Sequence, residues 1–317
     1  GGVRKTNRRK TRRMKNFVLI LLCPLFLTGQ NYTQEIDSLF ASKNYDQAVI
    51  TLERYLTKSP KDIALIELLG DAYGFQSQWS KAVNSYKFLL DLNPNSVTYL
   101  YKYAGVLGKL AKSERKLSSI GQISKVKASF DKAAKLDPTH INVRWALVEL
   151  YTQLPSFLGG SYKKALIYAN QLEQLSKPNG FLAKAYIFES SSQDDLANTF
   201  YKKGLESINE LECFQSKSSH SNHSSMHVNS LHFLIAKACV LHNSQLAIGQ
   251  QHIQNYIEFI SSKDSKPLEE AYLIQSQLFK LQNNIPKALS TLEQALLLKP
   301  DFTAALEERQ LILLLKP

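Results

Sequence analysis

Apolar residues in this chain recur at helical spacing, in blocks separated by short polar turns. In IALIELLGDAYGF (63–75) and AYLIQSQLFKLQ (271–282) they return every three to four positions, which predicts amphipathic helices. Three other blocks share a finer pattern: KNYDQAVITLERYLTKSP (43–60), SQWSKAVNSYKFLLDLNP (77–94) and NNIPKALSTLEQALLLKP (283–300). Each opens with a turn and a large residue (Tyr45, Trp79, Ile285). Ala follows three positions later (Ala48, Ala82, Ala288), then a larger residue one helical turn on (Leu52, Tyr86, Leu292), and finally Pro (Pro60, Pro94, Pro300). A small side chain lets a second helix come close, the larger one fills the space beside it, and Pro ends the helix because it brings no amide donor and disfavours helix before it. The pattern predicts an all-α chain of helical hairpins.

Ala48 and Ala82 lie 34 positions apart, and the first helices match as well, with Leu69-Gly70 and Tyr73 in one and Ser276 and Phe279 in the other. In these residues the chain resembles the tetratricopeptide repeat, whose period is of that length. The resemblance implies an α-solenoid, a superhelix of stacked helix-turn-helix units, over roughly residues 32–317. Further copies are more degenerate. A third starts near residue 97 with Ala104 at the small site and reaches ASFDKAAKLDP (128–138) after about ten extra residues. A fourth runs from Asn142, inserts Pro155 to Gly159, and resumes at Tyr162 and Ala165; a fifth carries Ala197, Tyr201 and Gly204. The sixth, SLHFLIAKACVLHN with AIGQQHIQNYIEF, is the weakest, and FTAALEERQLILLLK is expected to cap a seventh. The expected organisation is an N-terminal extension with a signal peptide (1–29), repeats one to five (30–212), a Ser/His-rich linker (213–229), and repeats six and seven with the cap (230–317). The LPSFLGGS insertion also resembles a feature of some bacterial repeat proteins.

Net charge changes the picture only at the N-terminus. Eight of the 39 basic residues precede residue 30 and no acidic one does, which leaves 31 against 27, or +4, for the rest. The basic stretch runs into FVLILLCPLFL (17–27), which is about half the roughly 20 residues a bilayer-spanning helix needs. It reads as a signal peptide starting at Met14 and cleaved near Gly29, so the mature protein is expected in the periplasm or cell envelope. A lipoprotein cysteine at Cys23, a twin-arginine signal at Arg12-Arg13, an uncleaved anchor and a transit peptide are the alternatives, and peripheral membrane association stays open. Cys239, in an apolar helix, and Cys213 are expected as free thiols. The basic run lacks interleaved aromatics, which argues against nucleic acid as a partner.

No P-loop, HExxH, GxSxG or dinucleotide fingerprint occurs, so neither an enzyme nor a cofactor is expected. His220, His223, His227 and His232 fall in Ser/Asn-rich sequence, which reads as a solvated linker in preference to a metal site. Gly159-Gly160 reads as a turn within an insertion, not a phosphate loop. In the repeat family the first helices line the concave face. Carried over, that geometry selects Thr33, Asp37, Glu67, Asp71, Tyr101, Trp145 and Glu149 as a partner groove. Family members that clamp acidic C-termini use Lys and Asn at such sites. The acidic and aromatic residues here imply a groove for a basic or amphipathic segment of a protein or peptide. The expected function is a protein-interaction scaffold. A metal-handling or enzyme-accessory protein, or a structural subunit of an envelope complex, is the alternative.

Overall fold

The computed structural model describes residues 25–114, 119–208, 226–261 and 264–315. The basic stretch, Cys23, Cys213, His220 and His223 lie outside the described residues, as do most of the expected signal peptide and most of the linker, whereas Leu25 to Gly29 fall at the start of the first helix. The described residues form fifteen α-helices and one 3₁₀ turn, with no strand among them. Seven hairpins follow one another: α1 (Leu25–Ala41) with α2 (Tyr45–Lys58), α3 (Ile63–Phe75) with α4 (Trp79–Leu92), α5 (Val97–Glu114) with α6 (Ser119–Leu136), α7 (Ile141–Gln153) with α8 (Tyr162–Leu175), α9 (Lys177–Ser190) with α10 (Asp194–Glu206), α11 (Met226–Leu241) with α12 (Leu246–Phe259), and α13 (Leu268–Leu281) with α14 (Ile285–Leu298). The last helix, α15 (Thr303–Leu314), packs on α13 and α14 as the expected cap. No helix of the described residues is long and apolar enough to cross a membrane.

The small sites do what their spacing predicts. Ala48, Ala82, Ala165, Ala197 and Ala288 are all buried where the second helix of a hairpin meets the first, and Leu52, Tyr86, Tyr201 and Leu292 are buried one turn on. Several helices begin on a side-chain cap. Asn44 accepts from the Gln47 amide, Asp62 from those of Ala64 and Leu65, and Asn284 from that of Lys287, each satisfying donors that a helix start leaves open. The turns within hairpins one, two, five and seven place Lys43, Ser77, Ser192 and Asn283 at positive φ (55°, 60°, 58°, 60°), each two residues before the second helix. The amide after each returns to a carbonyl five residues back, as Asn44 does to Leu39 and Gln78 to Tyr73, so the first helix closes with its last carbonyls satisfied.

Two irregular units differ from the simple repeat in informative ways. The extra residues of the third unit lengthen its helices: α5 and α6 each span 18 residues where most of the others span 13 or 14. The insertion in the fourth forms a 3₁₀ turn (Ser156–Leu158) closed by Gly159 at φ 90°. Here the Gly160 amide donates to the Pro155 carbonyl, and a Cβ on Gly160 would lie 1.7 Å from the Leu154 carbonyl oxygen. This is the expected turn within an insertion, and it leads into Ser161, which caps α8. α11 begins at Met226, inside the segment expected as linker.

Only Ser176 separates α8 from α9, so these helices cross at close range. Gly180 makes the crossing possible: a Cβ there would sit 2.2 Å from Cα of Glu173, a backbone atom that cannot rotate away. Gly180→Ala is expected to destabilise the protein by about 2–3 kcal/mol, the cost of overpacking a tight contact, read as a lower urea midpoint with the slope unchanged.

Candidate functional site

The odd-numbered helices line the inner side of the superhelix. Along its middle stretch α7, α9 and α11 pack directly on one another, whereas α1, α3 and α5 do not approach each other as closely. Packing against the neighbouring helices decides where each residue assigned to the groove lies. Thr33 and Asp37 on α1 are exposed. Asp71 is 3% exposed, Tyr101 5% and Trp145 4%, which makes these three interior residues and corrects the expectation that the two aromatics serve as surface anchors. Tyr101 packs on Phe130 and His140, with ring centroids 6.1 and 5.7 Å away. Trp145 donates Nε1–H to Oδ1 of Asn179 at 2.7 Å, across to the start of α9, and Asn179 in turn donates to Ser176 Oγ at 2.9 Å.

The carboxylates are likewise taken up within the protein. Lys102 on α5 places Nζ 2.7 Å from both Glu67 Oε1 and Asp71 Oδ2 on α3, and Tyr86 on α4 donates its hydroxyl to Asp71 Oδ1 at 2.6 Å. Burial by itself would lower the Lys102 pKa, but the two facing carboxylates outweigh it and the pKa is raised. Burial, then the Asp71 charge, pushes the Tyr86 phenol well above its usual range. A buried charge with its partner removed typically costs about 3–5 kcal/mol, so this cluster welds repeats two and three together. The same device joins α9 to α11 through Glu189 and Lys237, and α13 to α15 through Lys280 and Glu308 at 2.6 Å. Sequence reasoning passed over these lysines. Their signal is a lone cation inside an apolar helical run, as in LYKYAG or LIAKACV, one repeat after a carboxylate on the preceding first helix.

Glu149 lies half-buried on α7 amid tyrosines and a lysine. Burial first, then the Glu149 charge, raises the pKa of Tyr186, to about 12, and of Tyr101. Burial lowers that of nearby Lys109 on α5, whose ammonium donates to the Asp264 carbonyl at 3.4 Å. The segment after α12 is held by Tyr256, whose hydroxyl donates to the Lys266 carbonyl at 2.5 Å, and by Ser261, whose amide donates to Asp264 Oδ2 at 2.8 Å. Lys43, in the turn of the first hairpin, donates to the Glu258 carbonyl at the end of α12. The inner side from the end of α5 through repeat six is therefore filled by the chain itself, and the more exposed inner positions lie on α1, α3 and the start of α5.

Seven stacked hairpins with small residues at each crossing, a cap, and first helices facing inward define an α-solenoid of tetratricopeptide-repeat fold. Solved structures align with it at low identity. A chain of the APC/C hetero-tetramer Cut9-Hcn1 aligns at TM-score 0.50 and 14% identity over 92% of this chain and 51% of its own. A tetratricopeptide repeat protein from Parabacteroides merdae aligns at TM-score 0.46 and 15% identity over 90% and 98%. TTC0263, a repeat protein of Thermus thermophilus, aligns at 0.46 and 20% over 59% and 97%. No family model and no curated protein matches the chain.

Among the described residues no group of three or more His, Cys, Asp or Glu side chains could hold a metal ion. Cys239 is a buried free thiol whose pKa burial pushes up to about 11. His232 on α11 and His252 on α12 meet with Nδ1 atoms 2.6 Å apart and ring centroids at 4.8 Å, so one ring must donate its proton to the other. Burial, joined for His232 by the facing His252, brings both pKa values down to about 4. Because the folded pair resists protons that the unfolded chain accepts near pH 6.5, its stabilising effect is complete above that value and is lost as pH falls toward 4. The thermal midpoint, followed by circular dichroism, is expected to drop between about pH 6.5 and 4.5. The drop should be smaller in the double variant His232→Phe/His252→Leu; equal slopes in the two proteins would exclude the pair as the source.

Proposed function

We propose that this protein is an interaction scaffold that docks a segment of a partner protein on the open inner stretch formed by α1, α3 and α5. The observation that carries the reading is that this stretch holds the more exposed inner positions while the inner side of the later repeats is filled. Ala64 and Thr98 stand one turn before Glu67 and Tyr101 on the same helical faces. Ala64 and Thr98 are exposed, and so are Thr33 and Asp37. The result is a shallow bed of small side chains flanked by Asp37 and the partly exposed Glu67. The preference for a basic segment rested on the acidic residues of the groove, and it is not carried forward because Lys102 engages both Glu67 and Asp71 and Asp71 is buried. Specificity here comes from shape, with main-chain and small-side-chain contacts favouring a regular segment. Export is part of the same proposal, supported by the basic stretch at 4–15, the apolar run at 17–27 and the small residue at Gly29.

Ala64→Trp with Thr98→Trp fills the bed without touching the core. Immobilised protein from the native host is expected to retain a partner, identified by mass spectrometry, that the double variant loses although its helical spectrum and thermal midpoint are unchanged. Retention of the same partners by both would place docking elsewhere. For export, the mature protein is expected to begin just after Gly29 by N-terminal sequencing, and recovery of an intact N-terminus would refute cleavage.

A further inference from the structure

On the outer side of the superhelix, the second helices of repeats three and four part to leave a cleft of about 630 Å³ between α6 and α8, floored by α7. Its walls include Asp131, Lys135, Arg144, Tyr151, Lys164 and Tyr168. We propose that this cleft is a second docking site, one that takes an acidic peptide segment.

Charge sets the class of ligand. Three cations meet one carboxylate in the cleft, and the two helices that wall it carry six lysines (Lys125, Lys127, Lys132, Lys135, Lys163, Lys164) against Asp131 and Glu173. The rest of the chain beyond residue 30 is nearly balanced, so this is a local concentration of positive charge. The one carboxylate in the cleft is already engaged, since the Tyr168 hydroxyl donates to Asp131 Oδ1 at 3.1 Å.

Arg144 gives the site a fixed element. It is 3% exposed, and its Nη1 donates to the carbonyls of Asp137 and His140 at 3.1 and 3.2 Å, anchoring the guanidinium to the link between α6 and α7. Its Nε has no hydrogen-bond partner. A guanidinium so held keeps its charge at the floor of the cleft without losing side-chain entropy when a ligand arrives. Lys135 and Lys164 stand at the rim, where flexible ammonium groups can follow the carboxylates of an extended segment.

The aromatic pair favours a peptide over a nucleic acid. Tyr151 and Tyr168 lie parallel at 5.9 Å, and Lys164 covers Tyr151 at 5.3 Å from its ring centre. Tyr151 is thus covered by its neighbours, whereas a single-strand binder needs ring faces turned outward for bases to stack on. Ile167 and Pro138 add apolar surface suited to an aliphatic residue between acidic ones.

The test uses fluorescence anisotropy with a labelled peptide of glutamates interspersed with leucines, and a control peptide with every glutamate replaced by glutamine. The acidic peptide is expected to bind, more weakly as salt is raised, and the glutamine peptide is not. Lys135→Glu with Lys164→Glu, both surface changes, should weaken binding on the order of tenfold or more with helicity unchanged. Ala64→Trp/Thr98→Trp should bind the acidic peptide normally, which separates this site from the inner bed. Failure of the acidic peptide to bind, equal binding of both peptides, or an unaffected lysine double variant would overturn the proposal. Tighter binding of a single-stranded oligonucleotide would overturn it in favour of nucleic acid.

Discussion

Everything in this structure depends on how closely two helices of a hairpin can approach. Where a second helix crosses a first, one of the two facing residues must be small, and the chain meets that requirement in more than one way. In most repeats the small residue is an alanine on the second helix, such as Ala48, Ala82 or Ala288. In the third, Val126 occupies the site and the opposing residue is Gly108, whose missing side chain leaves the valine methyls 3.9 to 4.0 Å from where a Cβ would stand. In the sixth the small partner is Gly249, against which Cys239 and Leu278 close so tightly that a Cβ would approach them within 2.8 and 2.9 Å. Volume is conserved across the crossing even where residue identity is not, as expected for an interior packed to crystal-like density.

From that constraint follows the inner face. Once hairpins stack, the first helices of neighbouring repeats come near enough to exchange charge, and Lys102, Lys237 and Lys280 each neutralise a carboxylate on an adjacent first helix or, for Lys280, on the cap. Such pairs add little net stability over apolar packing of the same volume. Their larger effect is to remove from the inner surface the charges that would otherwise give it a ligand preference. Close packing does the same for the aromatics, since Trp145 is covered at the start of α9 and Tyr101 by Phe130 and His140. The two surfaces proposed for docking, the bed on α1, α3 and α5 and the cationic cleft between α6 and α8, lie on the inner and outer sides of the stack.

How much of this was legible in the sequence differs by level. Helix boundaries were, because a small residue and a proline at fixed spacing mark the second helix of units one, two and seven, and Ala104 and Ala165 extend the register to more degenerate copies. The lengthening of α5 and α6 was not, since surplus residues between helices look alike whether they form a loop or extra turns. The groove was the least legible. Tyr101 and Glu67 occupy equivalent positions in successive repeats, yet one is interior and the other borders solvent. What decides this is the approach of the next repeat, as when Asn179, 34 positions after Trp145, receives its indole hydrogen bond. Projecting residues from one repeat onto a generic groove ignores that neighbour.

The contact between Lys43 and Glu258 joins parts of the chain that the repeat stacking alone would never bring into register, and Lys109 with Asp264 is a second such tie. Most other contacts link adjacent hairpins, so the protein behaves mechanically as a coiled spring whose stiffness comes mostly from nearest-neighbour joints. These two ties act as a clasp across the coil. They act beside the packing of α7 on α11, which also spans an intervening repeat, so the coil is held by more than its nearest-neighbour joints.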